Sequence, residues 1–236
     1  MPLKIYDYSD ILAAAAEVGL ASRGGLLTGP EDALPEGCSW LLLLGWVGSR
    51  NWGAFAEGPE ASDGAPDPLD RWSKRTIDAL AADLGAIAFY PFGGPPYRPF
   101  LVWARRAEGL LSPSPLGMLI HPQHGLWHAY RGAMAFAYVP DGWEAPAAAP
   151  IPCSGCARPC LQTCPVGAFG ADGYDVAACR GHLASPAGQA CMKGGCLARR
   201  ACPVASHLSY AAAQTQFHMQ AFRGAGAAAT AGSAGT

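Results

Sequence analysis

Apolar residues in the first part of the chain fall at two spacings. After Ser9, ILAAAAEVG reads as a helix, with Ser9 as its N-cap and Gly19 as its stop. WLLLLGWV (40–47) is an unbroken apolar run of strand length. Extended to WLLLLGWVG it remains far short of the roughly 20 residues that a membrane-crossing helix needs. Asp67-Pro68 supplies a cap and a first-turn proline for DRWSKRTIDALAADLG. There Trp72, Ile77, Leu80 and Leu84 share a face and Gly85 ends the helix. AIAFYPF (86–92) predicts a second strand, GGPPYRP a loop and FLVWARRAEG a short helix. GMLI, HPQHG and LWHAYRGAMAFAYV then read as a strand, a turn and a returning strand.

Strands alternating with helices and closing on a hairpin-like return predict an α+β fold, with an N-terminal α/β-layer domain. The Pro/Ala-rich stretch VPDGWEAPAAAPIP (139–152) reads as a linker, which divides the chain into 1–148 and 149–223. In the second part only 205–222 shows clear helical character. The final GAGAAATAGSAGT (224–236) reads as a disordered tail.

The chain has 236 residues, half of them hydrophobic and 14% charged, with a formal net charge of −2. Only Lys4, Lys74 and Lys193 are lysines and no polybasic run occurs, so neither a nucleic acid nor a membrane surface is expected as a partner. No basic, apolar leader is seen, and the expectation is cytoplasmic. In that setting cysteines are reduced thiols or metal ligands, and nine of them do not make an even disulfide framework.

Eight of the nine lie between 153 and 202. Their spacing is Cys153-x2-Cys156-x3-Cys160-x3-Cys164-Pro165, then Cys179-x11-Cys191-x4-Cys196-x5-Cys202-Pro203. The bacterial ferredoxin run is C-x2-C-x2-C-x3-C-P, whose fourth cysteine binds the other cluster. Here the first run carries one added residue and the second has longer gaps. Three thiolates on a tight loop cover three corners of one cubane, and the fourth, opening the next helix, points away. That geometry predicts two 4Fe–4S clusters in a small ferredoxin-like domain. Cys153, Cys156, Cys160 and Cys202 would hold one; Cys164, Cys179, Cys191 and Cys196 would hold the other. Zinc is the competing reading, although zinc ribbons present two separated pairs rather than four thiols in one short run. Cys38, beside Trp40, reads as a small core residue.

The segments CPVGAF, YDVAACRGHL and GCLARRACPV resemble the ferredoxin module of epoxyqueuosine reductases and the related reductive dehalogenases. LGMLIHPQHGLWHAYRGAMAF resembles the strand-turn-strand ahead of that module. The resemblance implies an N-terminal domain of flavin-reductase or nitroreductase type that binds a corrinoid and takes electrons from two 4Fe–4S clusters. A flavin is the less favoured cofactor. The chain departs from the reductases where their general acid is expected: 93–111 holds no Asp, and its one carboxylate is Glu108. Epoxyqueuosine reduction is therefore not expected. The scarce lysines and the short remainder after the clusters argue against a transfer-RNA substrate.

GSRNWGAF (48–55) follows a buried strand, and strand-end loops often form ligand walls. Arg50, Trp52, Tyr97 and Trp127 are the candidates for contact with the cofactor, although packing is the simpler reading for Trp52. His121, His124 and His128 read as ordinary turn and strand residues. GGLLTG (24–29) lacks nucleotide-loop spacing. Arg199 and Arg200 either dock an electron partner or line a solvated helix face. Two functions follow. One is an oxidoreductase that passes electrons from a redox partner protein through two clusters to a bound corrinoid. The other is a carrier whose N-terminal domain docks a partner.

Overall fold

The computed structural model describes residues 4–147 and 150–231. Contacts divide the chain into two units: residues 1–111 with 128–150, and 112–127 with 151–236. The split near 148 lies close to one of these crossings. The excursion of 112–127 into the second unit has no compositional mark in the sequence.

The first unit is an antiparallel sheet with helices, an α+β arrangement. Its strands are β1 (Ala21–Leu27), β2 (Trp40–Val47), β3 (Ile87–Phe89) and β6 (His128–Phe136), in the order β1-β2-β6-β3. Register runs from Trp40↔Phe136 to Val47↔His128 between β2 and β6, and Leu27 faces Trp40 across β1 and β2. Every residue of β2 from Trp40 to Trp46 is buried, as an apolar run covered on both faces requires. Around the sheet lie α1 (Tyr8–Glu17), α2 (Trp52–Ala56), α3 (Pro68–Leu84) and α4 (Phe100–Glu108). Helix α4 packs on β1 and β2, and α3 on β3 and β6.

Several local readings are corrected. α1 begins before Ser9, because the Asp7 carbonyl accepts from the Ile11 amide and so makes the first turn. Asp67 precedes α3 in a left-handed conformation (φ 51°) and makes no side-chain cap. β3 covers three residues rather than seven. β1 had no predicted counterpart, because its Gly24-Gly25 pair interrupts any apolar alternation; the pairing with β2 shifts there, between Ser22 and Gly25. A second shift falls at Gly45 of β2, where an added Cβ would lie 1.9 Å from the Ala129 carbonyl oxygen.

The second unit has short elements. β4 (Ser112–Pro113) pairs with β5 (Leu119–Ile120), and β7 (Phe169–Gly170) with β8 (Gly173–Tyr174). Its helices are α5 (Pro159–Gln162), α6 (Val176–Ala184), α7 (Gln189–Gly194), α8 (Leu197–Arg200) and α9 (Ala212–Ala231). α9 starts later than the predicted 205, after a left-handed Ala205 and a short 3-10 turn. It reaches into the stretch expected as a tail, of which 232–236 lie outside the described residues. Among the described residues no helix is long and apolar enough to cross a membrane.

Candidate metal centres and their surroundings

All eight clustered cysteines are free thiols in the second unit. The local chain explains how the first run curls. Gly155 (φ 75°) turns it after Cys153, and Arg158 takes a left-handed conformation (φ 53°) just before Pro159 opens α5. That left-handed residue absorbs the one extra position between Cys156 and Cys160. Cys164 does not open a helix, as the ferredoxin analogy predicted. Pro165 instead starts a turn closed by the Gly167 amide on the Cys164 carbonyl. Cys179 rides on α6, whose N-cap Asp175 accepts from the Ala178 amide at 2.8 Å, and Cys191 rides on α7. Cys196 caps α8 and Cys202 follows it.

The eight thiols sort into two sets of four. Cys153, Cys156, Cys160 and Cys202 line one hollow, walled by Leu116, Ile120 and Leu126 from the 112–127 excursion. Cys164, Cys179, Cys191 and Cys196 line another, a cavity of about 440 Å³. Electrostatics follows the same sorting. Burial pushes the Cys153 thiol up, and Cys202, Cys156 and Cys160 add to the rise. Burial also raises Cys202; the Val204 amide opposes it, while Cys160 and Cys156 reinforce it. In the second set burial raises Cys191 and Cys196. The Leu197 amide pulls Cys191 back, and the amides of Arg199 and Ala198 pull Cys196 back.

Further donors reach the sulfurs. The Arg158 amide donates to Cys156 Sγ at 3.4 Å and the Ala168 amide to Cys164 Sγ at 3.3 Å. Two residues that spacing did not single out stand beside the second set. His182 Nε2 is 3.8 Å from Cys191 Sγ, and the Tyr174 hydroxyl is raised by burial and by its neighbour Cys179. Their types carry no metal-ligand pattern, so only the fold reveals them. Among the described residues no group of three or more His, Cys, Asp or Glu is placed to hold a metal ion. Each set lines a hollow instead. Four thiols per hollow, with amide donors on the sulfurs, is a donor set that fits a cluster of iron and sulfide.

The cofactor candidates fall in different places. Arg50 is exposed ahead of α2, and the Trp52 ring packs against Trp46 (6.0 Å) and Phe55 (5.0 Å). Tyr97 is 70% exposed on the loop before α4. Trp127 belongs to the second unit, buried against Tyr210 at 5.4 Å. Arg199 does not lie on a solvated face: its guanidinium stands 4.5 Å from the Trp127 ring and 4.6 Å from that of Tyr210, and it donates to the Leu126 carbonyl. His121 is buried in its turn, where Nδ1 accepts the amides of Gln123 and His124. Glu108 is sealed in the first unit between Arg23 (2.8 Å) and the Tyr130 hydroxyl (2.7 Å).

No protein-family model matches the chain, and no curated protein does. A solved structure of epoxyqueuosine reductase with an epoxyqueuosine-modified tRNA-Tyr stem loop is similar at 13% identity and a TM-score of 0.46. The match covers 86% of this chain and 66% of that one, so the chain spans just under two thirds of that protein's length. Similarity at this level does not transfer an activity. It does overturn one expectation: the similar enzyme is seen with a tRNA stem loop, so the exclusion of a nucleic-acid partner does not stand. Scarce lysine was a poor ground for it. Thirteen of the sixteen basic residues are arginines, and arginine, hydroxyl and backbone N–H groups all contact phosphates.

Proposed function

We propose that the chain is an iron–sulfur redox protein. Its second unit carries two 4Fe–4S clusters, on Cys153, Cys156, Cys160 and Cys202 and on Cys164, Cys179, Cys191 and Cys196. The clusters supply one-electron transfer; the chain supplies thiolates, amide donors and a partly apolar surround that set their potentials. A redox partner protein delivers the electrons, and a cofactor in the first unit receives them, a corrinoid in preference to a flavin. The observation that supports this reading is the sorting of eight thiols into two hollows. Epoxyqueuosine reduction is not part of the proposal, because Glu108, the one carboxylate of 93–111, is buried and already bonded to Arg23 and Tyr130.

A carrier without its own cofactor is the second reading. It is favoured by the packing of the half-buried Trp52 on Trp46 and Phe55, which engages one candidate cofactor residue in ring contacts of its own. Anaerobic purification tests both. About eight iron and eight acid-labile sulfide per chain support the clusters; stoichiometric zinc without broad visible absorption would exclude them. A corrinoid spectrum retained through gel filtration selects the enzyme, and its absence after reconstitution with cobalamin selects the carrier. The ligand sets are tested by Cys164→Ser and Cys202→Ser. Each should perturb the cluster of the other segment's cysteines in the spin-resonance spectrum of the reduced protein.

A further inference from the structure

A cavity of about 310 Å³ lies beside the second cysteine set, within the same unit. The two share walls: Cys196, Arg199, His218 and Met219 line both. Its volume falls at the lower end of small-molecule sites, about 300–1,000 Å³, and is too small for a corrinoid.

The lining has one sign of charge. Lys193, Arg199 and Arg200 contribute three cations, and no Asp or Glu lines the cavity. Both guanidinium groups are held in place. Arg199 is clasped between Trp127 and Tyr210, and Arg200 Nη1 donates to the Gly194 carbonyl at 2.9 Å. Two donors of residues that line the cavity have no partner. Trp127 Nε1 and Arg199 Nε are buried with no hydrogen-bond partner, and Trp127 is only 4% exposed. Native proteins rarely leave buried donors unpaired, and such exceptions often mark a place for a ligand or ion. Fixed cations with spare N–H groups and no competing carboxylate are the chemistry that recognises an oxyanion.

We propose that this cavity binds a small molecule through a phosphate or carboxylate group. The ligand would sit against Cys196, one wall from the second hollow. If that hollow holds a cluster, the added negative charge lowers its reduction potential. This last consequence rests on the cluster reading; the binding itself does not.

The test uses the full chain as purified, in chloride buffer, titrated calorimetrically with inorganic phosphate and separately with acetate. Saturable binding of either anion at one site per chain is expected, and which of them binds identifies the source of the oxyanion. Lys193→Gln with Arg200→Gln, two exposed rim positions, should weaken binding by about tenfold or more. Trp127→Phe keeps the ring and removes the unused donor, and should weaken it by about fivefold. Circular dichroism and iron content of the variants should match the parent. No saturable heat with either anion, or binding indifferent to the rim variant, overturns the proposal. Iron is measured on the same sample, so the two readings fail separately. Protein that lacks iron but binds phosphate sinks only the clusters, and iron-loaded protein that ignores both anions sinks only this site.

Discussion

The two units use cysteine and leucine in opposite ways. The first buries Trp40, Leu41, Leu42, Leu43, Leu44 and Trp46 in one strand and closes α3 and α4 over the sheet, while its lone Cys38 is half-buried. The second has small buried groups in which cysteines stand among the apolar residues. Cys160 and Cys202 join Leu116, Ile120, Leu126 and Ala198; Cys191 joins Leu183 and Met192. A strand of leucines loses water on folding and needs nothing else. A thiol-lined hollow among short helices has less apolar surface to gain, and under the proposed function it would depend on what fills it. One unit is held by its own side chains, the other by a proposed guest.

That contrast breaks most plainly under chelation. Stripping iron anaerobically should collapse amide-exchange protection in α6 and α7 to unfolded values while β2 and β6 keep theirs. Protection that survives in α6 and α7 would mean that the second unit stands on its own core. Within the first unit, Glu108→Ala leaves Arg23 buried without its partner and should cost about 3–5 kcal/mol in denaturant unfolding. Glu108→Leu combined with Arg23→Met removes both charges and should cost much less. If the double variant is as damaged as the single, packing rather than charge is at fault.

Cavity-forming truncations sharpen the comparison further. Leu42→Ala should cost about 2–5 kcal/mol, because β2 is enclosed on both faces. Leu183→Ala, in the small group beside Cys191, should cost less than half as much in iron-loaded protein, where the proposed cluster ligation would dominate. Similar losses at both sites would show the second unit to be an ordinary hydrophobic core. The smallest effect concerns pH. Arg75 donates to Glu60 at 2.9 Å and holds its carboxyl below the usual range. A lowered folded-state value stabilises above the ordinary carboxylate range, and that contribution is lost as pH falls through the lowered value. Glu60→Gln should therefore slightly flatten the acid side of the stability curve. Arg75 is 54% exposed, so solvent screening keeps the change small.

What the chain announces in advance depends on how local the physics is. WLLLLGWV declares a buried strand through length and bulk, and Gly85 ends α3 through its left-handed φ of 67°. Asp67 misled, because the residue before Pro68 reads as a cap while its backbone is left-handed. β1 stayed hidden behind two glycines whose roles appear only in the fold: an added Cβ would meet the Trp40 ring at 2.5 Å from Gly25 and the Ala107 carbonyl oxygen at 2.3 Å from Gly24. Cysteine spacing points to a thiol-rich centre because ligand loops are short-range. The Trp127–Arg199 stack joins segments far apart, and Tyr174 and His182, though near Cys179 and Cys191 in sequence, fall at no metal-ligand spacing.

The crossings of the chain between units, after 111, 127 and 150, also bear on how the protein is made. A ribosome releases β1, β2 and β3 first, yet β6, the neighbour of both β2 and β3, emerges only after 112–127 has come out. Leu116, Ile120 and Leu126 must then wait for Cys160, Ala198 and Cys202 before they are covered. A nascent chain stopped near 150 holds a complete sheet and a bare apolar loop. One stopped at 111 lacks the strand that joins β2 to β3. A chaperone that shields 112–127 during that interval would raise the yield of folded protein without touching its final stability.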